Sequence, residues 1–366
     1  MALAMRKFII KCGVFFLLVY TIIVLLNYRI DPANMFHSSI VEKMVPLLNA
    51  GKIIESPGNL DEGLFKREMI KSMQRTPETV VIGSSHIMYE PWPFENCFVA
   101  GLSGAYLGDY YAVVGMLEEY KSLPQHIIIG TDPWAFMTNA ENGRHKSINE
   151  YALKSLERVQ GKNPDIRGNS QQDKFYKYKE LFSFAYFQAS FKKMRSDGIS
   201  KSLKEDNREI IVADNAEIEK KQKIMPNGRY IFSESGLKSI QENNNSADTA
   251  IRIQQIYQLG SGFTDLQTDN LTQFENLVVY LKKKGVKIDF YLHPWYPTVY
   301  KHFCENEKYS GVLKTEEYLR DLGKKYDVVV HGSFSSELTG MKEEDYADWF
   351  HLKADKMLEC YNIILH

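Results

Sequence analysis

Cysteine is scarce in this chain, and so is any excess of charge. Of 366 residues only four are cysteines, Cys12, Cys97, Cys304 and Cys360. None stands in a CxxC or other metal-ligand spacing, which argues against a structural zinc site. Cys12 falls in an apolar run, leaving an odd three. One disulfide plus a free thiol among Cys97, Cys304 and Cys360, or three isolated thiols, fit equally, so cysteine usage does not set the compartment. With 45 basic and 46 acidic residues the formal charge is −1, and the strong basic excess expected of a nucleic-acid partner is missing. Where basic residues do cluster they are interleaved with acids, as in KKMRSDGISKSLKEDNREI (192–210), which reads as solvated surface. His293, His302 and His331 lack companions at ligand spacing, so no metal or other cofactor is expected. No repeat period is visible.

What the sequence does have is one long apolar run at its start, MALAMRKFIIKCGVFFLLVYTIIVLLNYRIDP. Cys12–Leu26 carries no charge, and Lys11 can snorkel near one end. About 20 helical residues span the ~30 Å hydrocarbon core of a bilayer. Arg6, Lys7 and Lys11 precede the run, which places the N-terminus in the cytoplasm and residues 30–366 outside. A cleaved signal peptide is the competing reading. However, the run is long for one and ends in NYRIDP rather than in small residues. The expectation is a single-pass anchor in a cell membrane.

Beyond it, MVPLLNAGKII (44–54) reads as a short helix ending near Gly51, and LDEGLFKREMIKSMQ (60–74) as an amphipathic one. From Thr79 the pattern changes. TVVIG (79–83), CFVAG (97–101), HIIIG (126–130), KIDFYL (287–292) and DVVV (327–330) are apolar strands. Between them lie helical stretches at 108–123, 264–285 (with Thr264 as N-cap) and 315–326, and a closing helix lies within 345–365. Continuous apolar strands alternating with helices predict an α/β fold with a parallel sheet flanked by helices. Functional residues of such sheets sit just beyond the carboxyl ends of the strands. Residues 135–265 break the rhythm with the aromatic-rich FYKYKELFSFAYFQASFKKM (175–194) and the polar ENNNSADT (242–249). They read as a large helical insertion, capping the sheet edge or docking a partner. The organisation expected is residues 1–29 as tail and transmembrane anchor, 30–76 as a juxtamembrane helical segment, and 77–366 as the α/β domain with its insertion at about 135–265.

Two strand ends carry serine-glycine turns, Gly83-Ser84-Ser85 and Leu102-Ser103-Gly104, and Asp348-Trp349-Phe350-His351 precedes the last helix. A serine nucleophile needs a base within reach, and the base needs a group to fix its tautomer. Asp-x-x-His can bring a carboxylate to one imidazole nitrogen and leave the other free. Ser103, in GLSGA (101–105), is a rival nucleophile because it resembles a degenerate Gly-x-Ser-x-Gly elbow, but its last position is Ala105. His86, next to Ser85, is expected to point away from it.

In this order the blocks resemble the SGNH (GDSL-like) hydrolase superfamily, over roughly residues 77–134 and 265–366. The resemblance implies a three-layer SGNH/flavodoxin-like fold. It makes Ser85 the nucleophile, with Ser84 in the place of the family's Asp, His351 the base and Asp348 its partner. It makes the backbone N–H groups of Ser85 and Gly104 oxyanion donors. The family's third block, Gly-x-Asn-Asp, corresponds to GTDPWAF (130–136), which has no Asn. A backbone N–H or Trp134 is left as the third donor. Asp132, Trp134 and His293 are expected to line the substrate site.

Gly-Ser-Ser, Asp-Pro-Trp and an anchor followed by Asp31-Pro32 are similar to a membrane-anchored branch of that superfamily. Its members serve bacterial surface-polymer acylation, as in teichoic-acid D-alanylation and alginate O-acetylation. That likeness implies serine acyl transfer to a cell-surface glycan or teichoic-acid-like polymer beside a multispanning membrane acyltransferase. Deacylation of the same polymers, or a degenerate scaffold for the acyltransferase, are the alternatives.

Overall fold

Runs of β-branched residues with no polar alternate must be covered on both faces, and in this chain they form a central parallel sheet. The computed structural model describes every residue except 1, 33–35, 37–38, 58–59, 138–142, 162–177, 199–209, 235–246 and 366. It divides into two compact units. The smaller comprises Met1–Lys43, Pro57–Asp61 and Ile166–Ile210; the larger comprises Met44–Ser56, Glu62–Asp165 and Ile211–His366.

In chain order the strands of the larger unit are β1 (Ile53–Glu55), β2 (Thr79–Gly83), β3 (Cys97–Gly101), β4 (His126–Gly130) and β5 (Val212–Ala213). They continue with β6 (Lys223–Ile224), β7 (Tyr230–Ile231), β8 (Lys287–Leu292) and β9 (Val329–Gly332). A five-stranded sheet runs β3-β2-β4-β8-β9 with every pairing parallel. Counted among these five, that is the doubly wound order 2-1-3-4-5, whose switch point lies beside the first strand. Here the first strand is β2, which is buried along its whole length like β3 and β4. Helices Leu107–Tyr120, Thr268–Lys283 and Gly311–Tyr326 make the crossovers.

Element ends differ from the sequence reading for local reasons. Asp327 caps helix Gly311–Tyr326 in the left-handed conformation (φ 52°), so β9 begins at Val329 rather than at residue 327. Helix Thr268–Lys283 is capped at Gln267, not Thr264. The helix read within 44–54 ends near Gly51 (φ 79°) as expected, but it starts earlier, as helix Ser39–Asn49, and β1 follows it.

The stretch 135–265 is mixed rather than helical. It holds helices Asn149–Val159, Phe184–Asp197 and Ala247–Gln254 together with β5, β6 and β7. The three strands join β1 in a small antiparallel sheet, order β5-β1-β6-β7. Most of ENNNSADT, the start of FYKYKELF and most of 199–210 lie outside the described residues. The segment 30–76 is divided as well: helix Glu62–Ser72 belongs to the sheet-bearing unit, where buried Lys66 donates to Val99 O and Gly228 O at 2.8 and 2.7 Å.

The smaller unit is built on helix Ala2–Ile30. Its stretch Met5–Ile30, 26 residues long, contains an 18-residue window of mean hydropathy 2.6, none of it buried, and is long and apolar enough to cross a membrane. Near its end Asn27 is buried. Its Nδ2 donates to Leu181 O at 2.9 Å, and its Oδ1 accepts from Ser190 Oγ at 3.0 Å.

Candidate active site

The three central strands all end in glycine, and the pairing register aligns Gly83 with both Gly101 and Gly130. A Cβ on Gly130 would lie 2.3 Å from Ile87 Cγ2, and one on Gly101 would lie 2.7 Å from Ile87 Cδ1 and 2.4 Å from Met88 Cγ. A Cβ on Gly83 would lie 2.6 Å from Gly130 O. The glycines therefore leave a hollow at the end of the sheet, and fully buried Ile87 fills it. Ile87 ends a one-turn 3-10 helix, Ser85–Ile87, capped by Ser84, whose Oγ accepts from His86 N at 3.2 Å. Ser84 is thus spent on the turn, and Ser85 is held, half-buried, at the carboxyl end of β2.

The structure brings Ser85, His351 and Asp348 into one line. Ser85 Oγ lies 2.9 Å from His351 Nε2, and His351 Nδ1 lies 2.9 and 2.8 Å from Asp348 Oδ1 and Oδ2. A bridge between Tyr346 and Leu352 closes the loop carrying the last two. Asp348 Oδ1 also accepts from the backbone N–H of Phe350 and His351, at 2.7 and 2.8 Å. Burial alone would raise the Asp348 carboxyl; the His351 imidazole and the two N–H donors outweigh it and hold the group below its usual range.

Gly104 takes a left-handed φ of 60° in the turn after β3, and a Cβ there would lie 2.5 Å from Arg144 Nη1. Ser103, the rival, is committed elsewhere: its N–H and Oγ both donate to Glu62, at 2.6 and 2.8 Å. Trp134 is also committed, since its Nε1–H donates to Ala105 O at 3.1 Å. Its indole is therefore not the third oxyanion donor.

Asp132, Trp134 and His293 are buried behind Ser85 and His351, at 1–2 % exposure. They gather round His86, which does not point away. Its Nδ1 meets Asp132 Oδ1 at 2.6 Å, and its ring lies 5.5 Å from His351, edge to face. On its other side it stacks on His293 at 4.3 Å. Asp132 and His86 thus form a second imidazole–carboxyl pair. His293 Nε2 donates to Phe350 O at 3.1 Å, and its Nδ1 faces Glu90 Oε1 at 3.6 Å. Burial, helped by the His86 and His351 rings, pushes His293 well below its ordinary value, so it is neutral. Burial, helped by Asp132, pushes Glu90 well above its own.

Sequence reasoning did not single out Glu90, Arg144, Tyr89 or Phe232. Tyr89 and Phe232 stack on each other at 3.9 Å and flank the His351 ring at 5.3 and 6.1 Å. Phe232 follows β7, in the stretch read as an insertion. Aromatic spacing there carried no signal separating a site wall from packing. Among the described residues no group of three His, Cys, Asp or Glu is placed to hold a metal ion. In comparisons with known proteins, no family model, no curated protein and no solved structure matches this chain.

Proposed function

We propose that this chain is a serine acyltransferase working outside the membrane on a cell-surface or exported polysaccharide. The observation that carries the chemistry is the unbroken line Ser85–His351–Asp348, with the base 2.9 Å from the hydroxyl. Ser85 Oγ attacks the carbonyl carbon of an acyl ester or thioester, and its proton passes to His351 Nε2. Asp348 stabilises the imidazolium that forms. The backbone N–H groups of Ser85 and Gly104 receive the developing oxyanion. The leaving group takes the proton from His351 as the tetrahedral adduct collapses. A glycan hydroxyl then gives its proton to His351 and attacks the acyl carbon; as this second adduct collapses the acyl–Oγ bond breaks and Ser85 Oγ takes the proton back from His351.

The resemblance to the polymer-acylating SGNH-like branch supports the acceptor class, and the apolar helix Ala2–Ile30 supports attachment to a membrane. Retention of that helix is supported by Asn27, buried in hydrogen bonds to Leu181 and Ser190 that cleavage behind residue 30 would remove. An acyl-serine open to water would instead make the chain a deacylase of the same polymers.

The test is labelling with a serine-reactive fluorophosphonate. Labelling of the wild type that is lost in Ser85→Ala and His351→Ala, and kept in Ser103→Ala, is the expected result. An unlabelled wild type would mean a scaffold without catalysis. Acyl release from unlabelled protein first acylated at Ser85 by an activated acyl ester, measured with water alone and with added polysaccharide, separates deacylase from transferase.

A further inference from the structure

Much of the aromatic run FSFAYFQASFKKM (182–194) is bare. Phe182, Phe184 and Phe191 are 54 %, 69 % and 57 % exposed. They belong to the turn before helix Phe184–Asp197 and to the helix itself, which lies alongside the end of helix Ala2–Ile30. The contact is specific. Tyr186 OH donates to Asp31 Oδ1 at 2.6 Å, Ser190 Oγ to Asn27 Oδ1 at 3.0 Å, and Lys193 Nζ to Ile30 O at 3.2 Å. Below them, Tyr20 OH donates to Phe182 O at 3.4 Å, and the Tyr20 and Phe182 rings lie 6.0 Å apart.

These partners fix the depth of the segment. Tyr20 lies seven residues before Asn27, which at ~1.5 Å per residue is about 10 Å further down the helix. Phe182 therefore sits beside the uncharged part of the apolar helix, not beyond its end. Backbone at that depth must find partners within the protein, and here it does. Leu181 O accepts from Asn27 Nδ2. The N–H groups of Leu181, Phe182 and Ser183 donate to Tyr178 O, Lys179 O and Glu180 O at 3.2, 3.0 and 3.0 Å. Ser183 Oγ caps the helix by accepting from Tyr186 N. Character then changes along the helix: Phe184, Ala185 and Phe191 come first, and Lys192, Lys193 and Arg195 follow. Exposed phenylalanines beside exposed Lys192 and Arg195 suit acyl chains and phosphate headgroups respectively.

We propose that residues 178–195 are a second membrane contact, seated in the leaflet that holds the C-terminal end of helix Ala2–Ile30. Phe182, Phe184 and Phe191 lie among the acyl chains, continuous with the bare apolar face of that helix, and Lys192 and Arg195 lie at the headgroups. The seat rests on reading helix Ala2–Ile30 as membrane-embedded. It would fix the tilt and rotation of the anchor, which one apolar helix alone leaves free.

The test places p-benzoyl-phenylalanine singly at Phe184, Phe191, Leu17 and Leu338 of the full chain, reconstituted in phosphatidylcholine–phosphatidylglycerol vesicles. After irradiation, adducts are identified by mass. Leu17 reports the anchor, and Leu338, 59 % exposed in the sheet-bearing unit, reports open solvent. Expected are phospholipid adducts at Phe184 and Phe191 of the same order as at Leu17, and none at Leu338. Adducts at Leu17 with none at Phe184 and Phe191 would overturn the seat and leave the anchor standing. No adduct at Leu17 would overturn both. Adducts of Phe184 and Phe191 with protein in place of lipid would also sink the seat and show a covered protein interface instead.

Discussion

At the scale of single residues, the site depends on how Asp348 is held. Its carboxyl sits below its usual value because the imidazole and two N–H groups outweigh burial. A neutral amide there would keep the shape and lose the charge that stabilises a protonated His351. Asp348→Asn should therefore lower the fluorophosphonate labelling rate by about 10⁴-fold while the protein stays folded, as read by labelling kinetics beside circular dichroism. Deeper in the unit, two buried groups set the pH response. Burial pushes Lys66 down to about 7, against partial opposition from Glu62. His145 would also be lowered by burial, but Asp109 and Glu62 raise it to about 9. For Lys66 the folded value lies below the unfolded 10.5, so its contribution is complete above 10.5 and is lost as pH falls through about 7. For His145 the folded value lies above the unfolded 6.5, so its contribution is complete below 6.5 and is lost as pH rises through about 9. Between pH 7 and 9 the two oppose each other. Melting temperatures across that window should fall more steeply with pH in Lys66→Met than in wild type, and less steeply in His145→Gln. Ser85, Asp348 and His351 were legible because their spacing is local or tied to strand ends. His86 and Glu90 were not, because what matters about them is which rings meet in the fold.

At the scale of elements, the site is a consequence of three glycines in register. Parallel pairing puts Gly83, Gly101 and Gly130 side by side, and Ile87 fills the space their missing side chains leave. The Ser85 turn is thus clamped to the sheet by one apolar side chain. Gly130→Ala drives a methyl into Ile87 and should cost about 1–3 kcal/mol. Ile87→Ala empties the hollow and should cost about 2–5 kcal/mol. Because Ile87 ends the turn begun by Ser85, both should slow labelling of Ser85 more than an equally destabilising change remote from it, such as Val312→Ala in helix Gly311–Tyr326. Chemical denaturation and labelling rates on the same preparations check this. The five strands of this sheet could be read from sequence because each is built on an apolar run, interrupted only by Asp289 in β8 and followed by His331 in β9. β1 and β5–β7 could not, since strands of two or three residues show no period, and pairing over long separations, such as Ile53 with Ala213, leaves no local mark.

At the scale of the molecule, the chain builds its two units from interleaved segments, which is why 135–265 looked like one insertion. Sequence order cannot show that Ile166–Ile210 returns to the N-terminal helix. The sign of it is a polar residue, Asn27, in a run otherwise suited to lipid. Buried there with Ser190 and Leu181 O as partners, it costs little; unpaired, it would cost about 1–3 kcal/mol. Asn27→Leu removes both hydrogen bonds and leaves the Leu181 carbonyl and the Ser190 hydroxyl unmet by Asn27. It should therefore loosen helix Phe184–Asp197 while leaving the sheet of the larger unit, with its own core, intact. Limited trypsin digestion in detergent should cut Asn27→Leu sooner than wild type at Lys192, Lys193 and Arg195, while Ser85 labels at the wild-type rate. Unchanged cutting would mean that the Asn27 contacts do not hold the segment. Loss of labelling together with faster cutting would mean that the two units do not fold independently.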